Sequence, residues 1–246
     1  MEIFGLKYGL ETEEETICAI SDAISKDGDN PFVRSDINVG TIVASVHDSM
    51  IKEYINKSDI VNMDGMGAIY GARFLNKKIP PRVTGADLFE KLLALAEEKK
   101  YSVYFLGATE DVNNLTFQKA LDEYPNLKVA GRHNGYFFDS QEAMVESVAK
   151  CEPDILFIGI KSPEKEAFIM RWKSKLKSKV ILGIGGTFDV YSGHVERAPS
   201  WMQDNGLEWL FRVIQEPRRM WWRYAVSNSR FAWLLIKAKC SFIFKK

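Results

Sequence analysis

From Tyr101 onward the chain keeps a regular rhythm, and that rhythm limits the fold more than any other feature. Four short β-rich runs, SVYFLGA, LKVAGR, DILFIGI and KVILGIG, are separated by helical segments near 110–123, 140–150 and 163–176. Strands that alternate with helices imply a parallel sheet with right-handed crossovers, as in a Rossmann-like half. In such sheets ligands sit beyond the carboxyl ends of the strands, so the residues after the four runs are the ones to interrogate. The expected fold is α/β, with a Rossmann-like parallel sheet over 101–207 and helices on both faces. A smaller N-terminal α/β part over 1–100 and a basic helical appendage over 208–246 complete it.

The first hundred residues carry local signals of their own. After a short first strand, TEEETICAISDAIS reads as a helix, with Thr12 as its cap and Glu15 completing a capping box. Asp27-Gly28-Asp29 resembles the D-x-D that holds a metal–diphosphate in many transferases, but it follows a helix and precedes Asn30-Pro31, so it reads as a turn. FVRSDINVG is a strand leading into a loop, TIVASVHDSMIKEYINKS a helix, and DIVNMDG a strand and its exit. GAIYGARFLNKK is a helix stopped by Pro80 and Pro81. The next helix, TGADLFEKLLALAEEKK, puts Leu88, Leu92 and Leu95 on one face, and Thr84 with Asp87 makes its capping box.

A length of 246 residues suits one large domain or two small ones sharing a core. The 33 basic and 33 acidic residues cancel, so total charge points to no partner, but their distribution does. Between Glu208 and Lys246 nine Lys or Arg stand against two acids, which leaves the tail at +7 and the rest at −7. Trp209, Trp221, Trp222 and Trp233 lie in the same stretch, which is broken near Glu216-Pro217. A basic, aromatic tail on an acidic body points to an anionic surface as partner. The most apolar segment, FAWLLIKAKCSFIF, is 14 residues long with two lysines, short of the roughly 18 uncharged residues of a spanning helix. The acidic N-terminus lacks a signal-peptide pattern. The expected location is cytoplasmic, at a membrane surface. Cys18, Cys151 and Cys240 follow no ligand spacing and read as buried or incidental thiols in a reducing compartment. His47, His133 and His194 have no partner at zinc spacing, so no metal site is expected.

The loops after the late strands are Gly107-Ala-Thr, Gly131 to Tyr136, Gly159 to Pro163, and Gly183-Ile-Gly185-Gly-Thr-Phe-Asp189. Glycines there admit a ligand close to the backbone, and a following helix N-terminus offers N–H groups to a phosphate. Each loop alone is equally an ordinary turn; four on one sheet edge favour nucleotide or sugar-nucleotide binding. None is a full G-x-G-x-x-G, which weakens the case for a nicotinamide-dependent oxidoreductase, and neither a serine elbow nor a Walker loop is present. In VNMDGMGAIYG, Asp64 has two readings. It caps the helix that follows Gly65, or it is a carboxylate at a strand exit whose backbone faces a diphosphate. Arg82 has no helix to stabilise and is placed to meet a phosphate.

Taken together, DGMGAIYGARFL, RVTGADLFEKL, GRHNGYF, IGIKSPEKEAFI and the long block GIGGTFDVYSGHVERAPSWMQDNGLEWLFRVIQEPRR resemble the WecG/TagA/CpsF glycosyltransferases of bacterial surface-polysaccharide assembly over nearly the whole chain. The resemblance implies inverting transfer of a hexose, often of N-acetylmannosamine type, from a UDP donor to a polyprenyl-diphosphate-linked sugar, with no required metal or other cofactor. It implies Asp64 as general base and Asn38 as a residue lining the sugar pocket. Arg82 and the tail arginines Arg212, Arg218, Arg219 and Arg223 would serve the diphosphate, and the basic appendage would dock on the inner face of the membrane. Gly107, Tyr136, Gly185 and Asp189 are expected near the nucleotide. Two stretches depart from the family: Asp36 stands where some members carry threonine, and Ser162-Pro163-Glu164-Lys165-Glu166 stands where S-P-K-Q-E is usual, with Lys165 in place of glutamine near the sugar or diphosphate. A rival reading from another class is a non-catalytic nucleic-acid-binding module built on the basic aromatic tail. A homo-oligomer is compatible with the sequence, but no residue pattern requires one.

Overall fold

The computed structural model opens with a small antiparallel pair, β1 (Glu2–Ile3) and β2 (Leu6–Lys7). Its centre is one six-stranded parallel sheet: β3 (Phe32–Ile37), β4 (Ile60–Met63), β5 (Ser102–Gly107), β6 (Lys128–His133), β7 (Ile155–Gly159) and β8 (Val180–Gly183). The spatial order is β4-β3-β8-β7-β5-β6. The residues described are 1–243 except Asp27 and Asp29, without the side chains of Asp204, Arg219 and 241–243. The D-x-D turn, the Arg219 side chain, Lys245 and Lys246 therefore lie outside the described residues.

The connecting helices are α1 (Glu13–Ser25), α2 (Val39–His47), α3 (Ser49–Lys57), α4 (Met66–Phe74), α5 (Gly85–Lys99), α6 (Glu110–Glu123), α7 (Gln141–Cys151), α8 (Glu164–Trp172), α9 (Thr187–Tyr191), α10 (Ser200–Asp204), α11 (Glu208–Gln215) and α12 (Pro217–Ile243). Every strand runs the same way, so all six carboxyl ends share one edge. Alternate strand residues enter two separate cores. Ile181 joins Ile42, Ile51, Ala68, Val145 and Phe168 on one face, while Val180 and Leu182 join Ile20, Leu92, Val112 and Phe188 on the other. Steps along the sheet toward β4 cross the first face and steps toward β6 cross the second, the long step from β4 to β5 packing α4 on the first face before α5 crosses the second, as right-handed connections require. The strands of the first hundred residues, β3 and β4, pair into the same sheet as the late four, with β3 directly on β8.

The capping box of Thr12 and Glu15 forms as the sequence predicts, and Thr84 accepts from the Asp87 N–H. The stretch expected as one helix over TIVASVHDSMIKEYINKS is two. Asp48 is extended, and its carboxylate accepts from the Met50 and Ile51 N–H groups, starting α3 afresh. Helix α8 stops at Trp172, short of the expected 176. All three cysteines are exposed, so of the two readings, buried or incidental, the buried one is not realised.

The tail breaks at Glu216, with Pro217 in the first turn of α12, where its missing N–H costs nothing. Helix α12 then folds back along the body. Phe231 is buried against Gly71, where an added Cβ would collide with the ring, and its edge meets Phe4 at 6.2 Å. Lys239 Nζ donates to the Phe74 carbonyl at 2.8 Å. The opposite side leaves Trp222 72% exposed, with Trp221, Trp233 and Ile236 also outside. Among the described residues no helix is long and apolar enough to cross a membrane.

Candidate active site

The exits of β3 and β4 lie side by side because two glycines let them. A Cβ on Gly65 would sit 3.2 Å from Asn38 Cβ, and one on Gly67 2.6 Å from Val39 Cγ2. The glycine-rich turn therefore brings the first turn of α4 flush against the start of α2. Asn38 caps α2 through a reciprocal pair with Thr41. Asp64 is pinned by its backbone: its N–H donates to the Ile37 carbonyl at 3.0 Å, and its carbonyl accepts from Arg82 Nε at 2.8 Å.

The capping alternative for Asp64 is not realised, because Gly65 is the N-cap of α4 and no side chain caps it. Among the described residues no donor reaches the Asp64 carboxylate, which is half-buried at the mouth between the two exits. Burial, helped by the negative charge of Asp36, pushes it up to about 6; Arg34 and Arg82 pull the other way, and Glu208 adds to the rise. The result is an ionised carboxylate at neutral pH that is more basic than an ordinary aspartate.

Beneath it lies a buried polar cluster. Arg34, wholly buried, donates through Nε to Asn62 Oδ1 at 2.9 Å and through Nη2 to the Val83 carbonyl at 3.2 Å, and Asn62 donates to Thr16 Oγ1. Lys165, expected to meet sugar or diphosphate, is only 5% exposed. Its ammonium faces Glu166 at 3.3 Å and Asp36 at 3.8 Å. Burial opposes that charge, but the two carboxylates outweigh it and hold the lysine above its usual range.

Arg82 is likewise engaged. Nη2 meets Glu208 Oε2 at 2.6 Å and Nη1 donates to the Gln203 carbonyl at 3.4 Å, so this arginine ties Asp64 to α11. Asp87 lies in the first turn of α5, where its carboxylate accepts from the hydroxyl of the Thr84 cap and from Arg197. Burial raises its carboxyl, but hydrogen bonds from Thr84 and Arg197 hold it below the usual range.

The other expected site residues fall into two groups. At β8, two strands from β4 and thus about 10 Å away, Gly185 takes a left-handed turn in open space. A Cβ on neighbouring Gly186 would lie 3.5 Å from Asp189 Oδ2 and 3.9 Å from Arg212 Nη1, so Arg212 of the tail reaches this loop. Gly107 and Tyr136 belong to β5 and the exit of β6, about 19–24 Å along the sheet from β4. Close packing accounts for Gly107: at φ +138°, its Cβ would strike the Gly159 backbone. Tyr136 is 74% exposed. Arg218 and Arg223 are exposed on α12.

The sequence reading missed Tyr224. It sits on α12 against Trp209, with ring centroids 5.9 Å apart. Burial raises its hydroxyl, and the charges of Arg212, Arg223, Glu208 and Asp64 also act on it. Its only signal in the sequence was a tyrosine among tail cations.

The model of the family described as "Glycosyl transferase WecG/TagA/CpsF family" matches residues 1–243. The chain is 34% identical over 205 residues to the N-acetylglucosaminyldiphosphoundecaprenol N-acetyl-beta-D-mannosaminyltransferase of Bacillus subtilis (strain 168), covering 83% of this chain and 79% of that protein. It is 33% identical to the protein of the same name from Bacillus spizizenii, covering 74% and 70%. A third, from Staphylococcus aureus (strain MRSA252), is 29% identical over 72% and 69%.

Proposed function

Because the chain belongs to the WecG/TagA/CpsF glycosyltransferase family, we propose that it moves an N-acetylmannosamine-type hexose from a UDP donor to an N-acetylglucosaminyl-diphosphoundecaprenol acceptor in cell-surface polymer synthesis. The observation that carries the mechanism is Asp64: a half-buried carboxylate at the joined exits of β3 and β4, free of helix capping and raised to about 6.

In the proposed step the acceptor hydroxyl oxygen attacks the anomeric carbon from the face opposite UDP, and its proton passes to Asp64. The bond between that carbon and the diphosphate oxygen breaks, and UDP leaves with the electron pair. A base within hydrogen-bond reach is worth about 10²–10⁴ in rate. Charge developing on the departing diphosphate needs fixed donors. Arg212, beside the Gly185-Gly186 loop, is the best placed of the candidate arginines, and Arg82 would have to exchange Glu208 for phosphate.

The membrane role of the tail rests on its outward face. Arg223, Arg230 and Lys237 recur every seven residues beside the exposed Trp222, Trp233 and Ile236, and no acid occurs from Pro217 to Ile243. Cations in line with interfacial aromatics suit an anionic leaflet, at about 1 kcal/mol per basic residue.

The test is UDP release by the purified protein in EDTA, with a polyprenyl-diphosphate-N-acetylglucosamine analogue and a panel of UDP-hexoses. Turnover with one donor, giving an inverted anomeric centre, is the expected result. No turnover and no UDP binding across the panel would remove the reading.

A further inference from the structure

The polar residues under Asp64 form a chain that crosses three strands. Lys165 stands in the first turn of α8, beyond β7, and its stem lies against Gly183 at the end of β8. A Cβ there would sit 2.8 Å from Lys165 Cδ and 3.0 Å from Cε, so any larger residue at 183 would crowd the path of the lysine. The ammonium ends 3.8 Å from Asp36 Oδ1 on β3. The same oxygen lies 3.7 Å from Arg34 Nη1, and Asp36 Oδ2 accepts from Asn38 Nδ2 at 3.4 Å. Two cations buried this deeply are costly unless carboxylates stay beside them. Asp36 is the carboxylate they share.

We propose that Asp36 and Lys165 form one positioning unit of the site: Lys165 holds the Asp36 carboxylate in place, and Asp36 orients the Asn38 amide and presents a fixed negative charge to Asp64. The ion pair joins Asp36 on β3 to Lys165 on α8, and Glu166 is the lysine's second and nearer carboxylate, at 3.3 Å. Asp64 is faced by Asp36 and Arg34 from β3, Arg82 from the segment before α5, Glu208 from α11 and Tyr224 from α12. Asp36 lies between two cations, Arg34 and Lys165, whereas no donor among the described residues reaches the Asp64 carboxylate, so the two carboxylates have different surroundings and different roles. The catalytic consequence rests on the reading of Asp64 as base.

The test follows the Asp64 carboxyl by NMR titration, its resonance identified by its loss in Asp64→Asn. Wild type is compared with Asp36→Asn, Lys165→Gln and the double variant. Removing the Asp36 charge lowers the Asp64 midpoint by about one pH unit in both proteins that lack it. The double variant, neutral at both positions, recovers part of the melting temperature lost in Lys165→Gln, because Glu166 lacks its lysine in both, yet keeps the lowered midpoint. A midpoint unchanged in the double variant reduces the pair to a structural ion pair and overturns the proposal, as does a double variant no more stable than Lys165→Gln. If Asp36→Asn alone does not fold, the double variant decides. Failure of the base reading shows separately, as turnover retained in Asp64→Asn, and leaves these midpoints standing.

Discussion

Replacing Asp64 with asparagine should make the protein more stable at neutral pH while removing its turnover. In the fold Asp64 titrates at about 6, against an ordinary value of 3.8. A raised carboxylate contributes fully to stability below its unfolded value and loses that contribution as pH rises through its folded value. Between about pH 4 and pH 6 the unfolded chain ionises Asp64 and the folded chain resists, so wild type loses stability there and keeps the deficit above. Two units correspond to about 3 kcal/mol. Asp64 retains solvent access, so a screened figure of about 1–2 kcal/mol is the working magnitude. For a domain of this size that is a shift in Tm of about 2–8 °C. The assay is thermal melting of wild type and Asp64→Asn side by side from pH 4 to pH 8. The gap in favour of the variant should open between pH 4 and pH 6 and then stay level. A gap that does not change with pH would refute the claim that the fold holds this carboxylate against its ionisation.

Three further outcomes follow from the packing of the tail. Gly71→Ala puts a methyl into the Phe231 ring, so α12 should lift from α4, with a loss of about 1–3 kcal/mol and faster proteolysis within 217–243. Trp222→Ala with Trp233→Ala should leave Tm within about 0.5 kcal/mol of wild type but weaken binding to anionic vesicles, measured by sedimentation. Glu208→Gln breaks the tie to Arg82; exposure limits the stability cost to about 1 kcal/mol, and hydrogen exchange in α11 should quicken.

The parts legible in the sequence were those with local causes. Strands β5 to β8 announce themselves as apolar β-rich runs, and the starts of α1 and α5 by Thr12 with Glu15 and by Thr84 with Asp87. Pro217 marks the break in the tail. Pairing of β3 with β8 joins residues about 150 positions apart and leaves no local trace. The division of α2 from α3 was hidden because Asp48 keeps the polar periodicity of a continuous helix while its side chain caps a new one. At the site, Asp64 and Asn38 were legible from strand exits and family motifs. The engagement of Arg82 and the burial of Lys165 were not, because their partners, Glu208 and Asp36, come from distant segments. A lysine in the first turn of a helix reads as solvated until Gly183 is seen to make room for it.

The central claim is that Asp64, desolvated at the joined exits of β3 and β4, takes the acceptor proton. The pH dependence of kcat/KM for wild type, with turnover and UDP-sugar binding of Asp64→Asn measured beside it, tests this most directly. The account predicts an acid limb near about 6 and a loss of about 10²–10⁴-fold in Asp64→Asn with UDP-sugar binding retained. An acid limb at the ordinary aspartate value, or near-wild-type turnover in the variant, would contradict it.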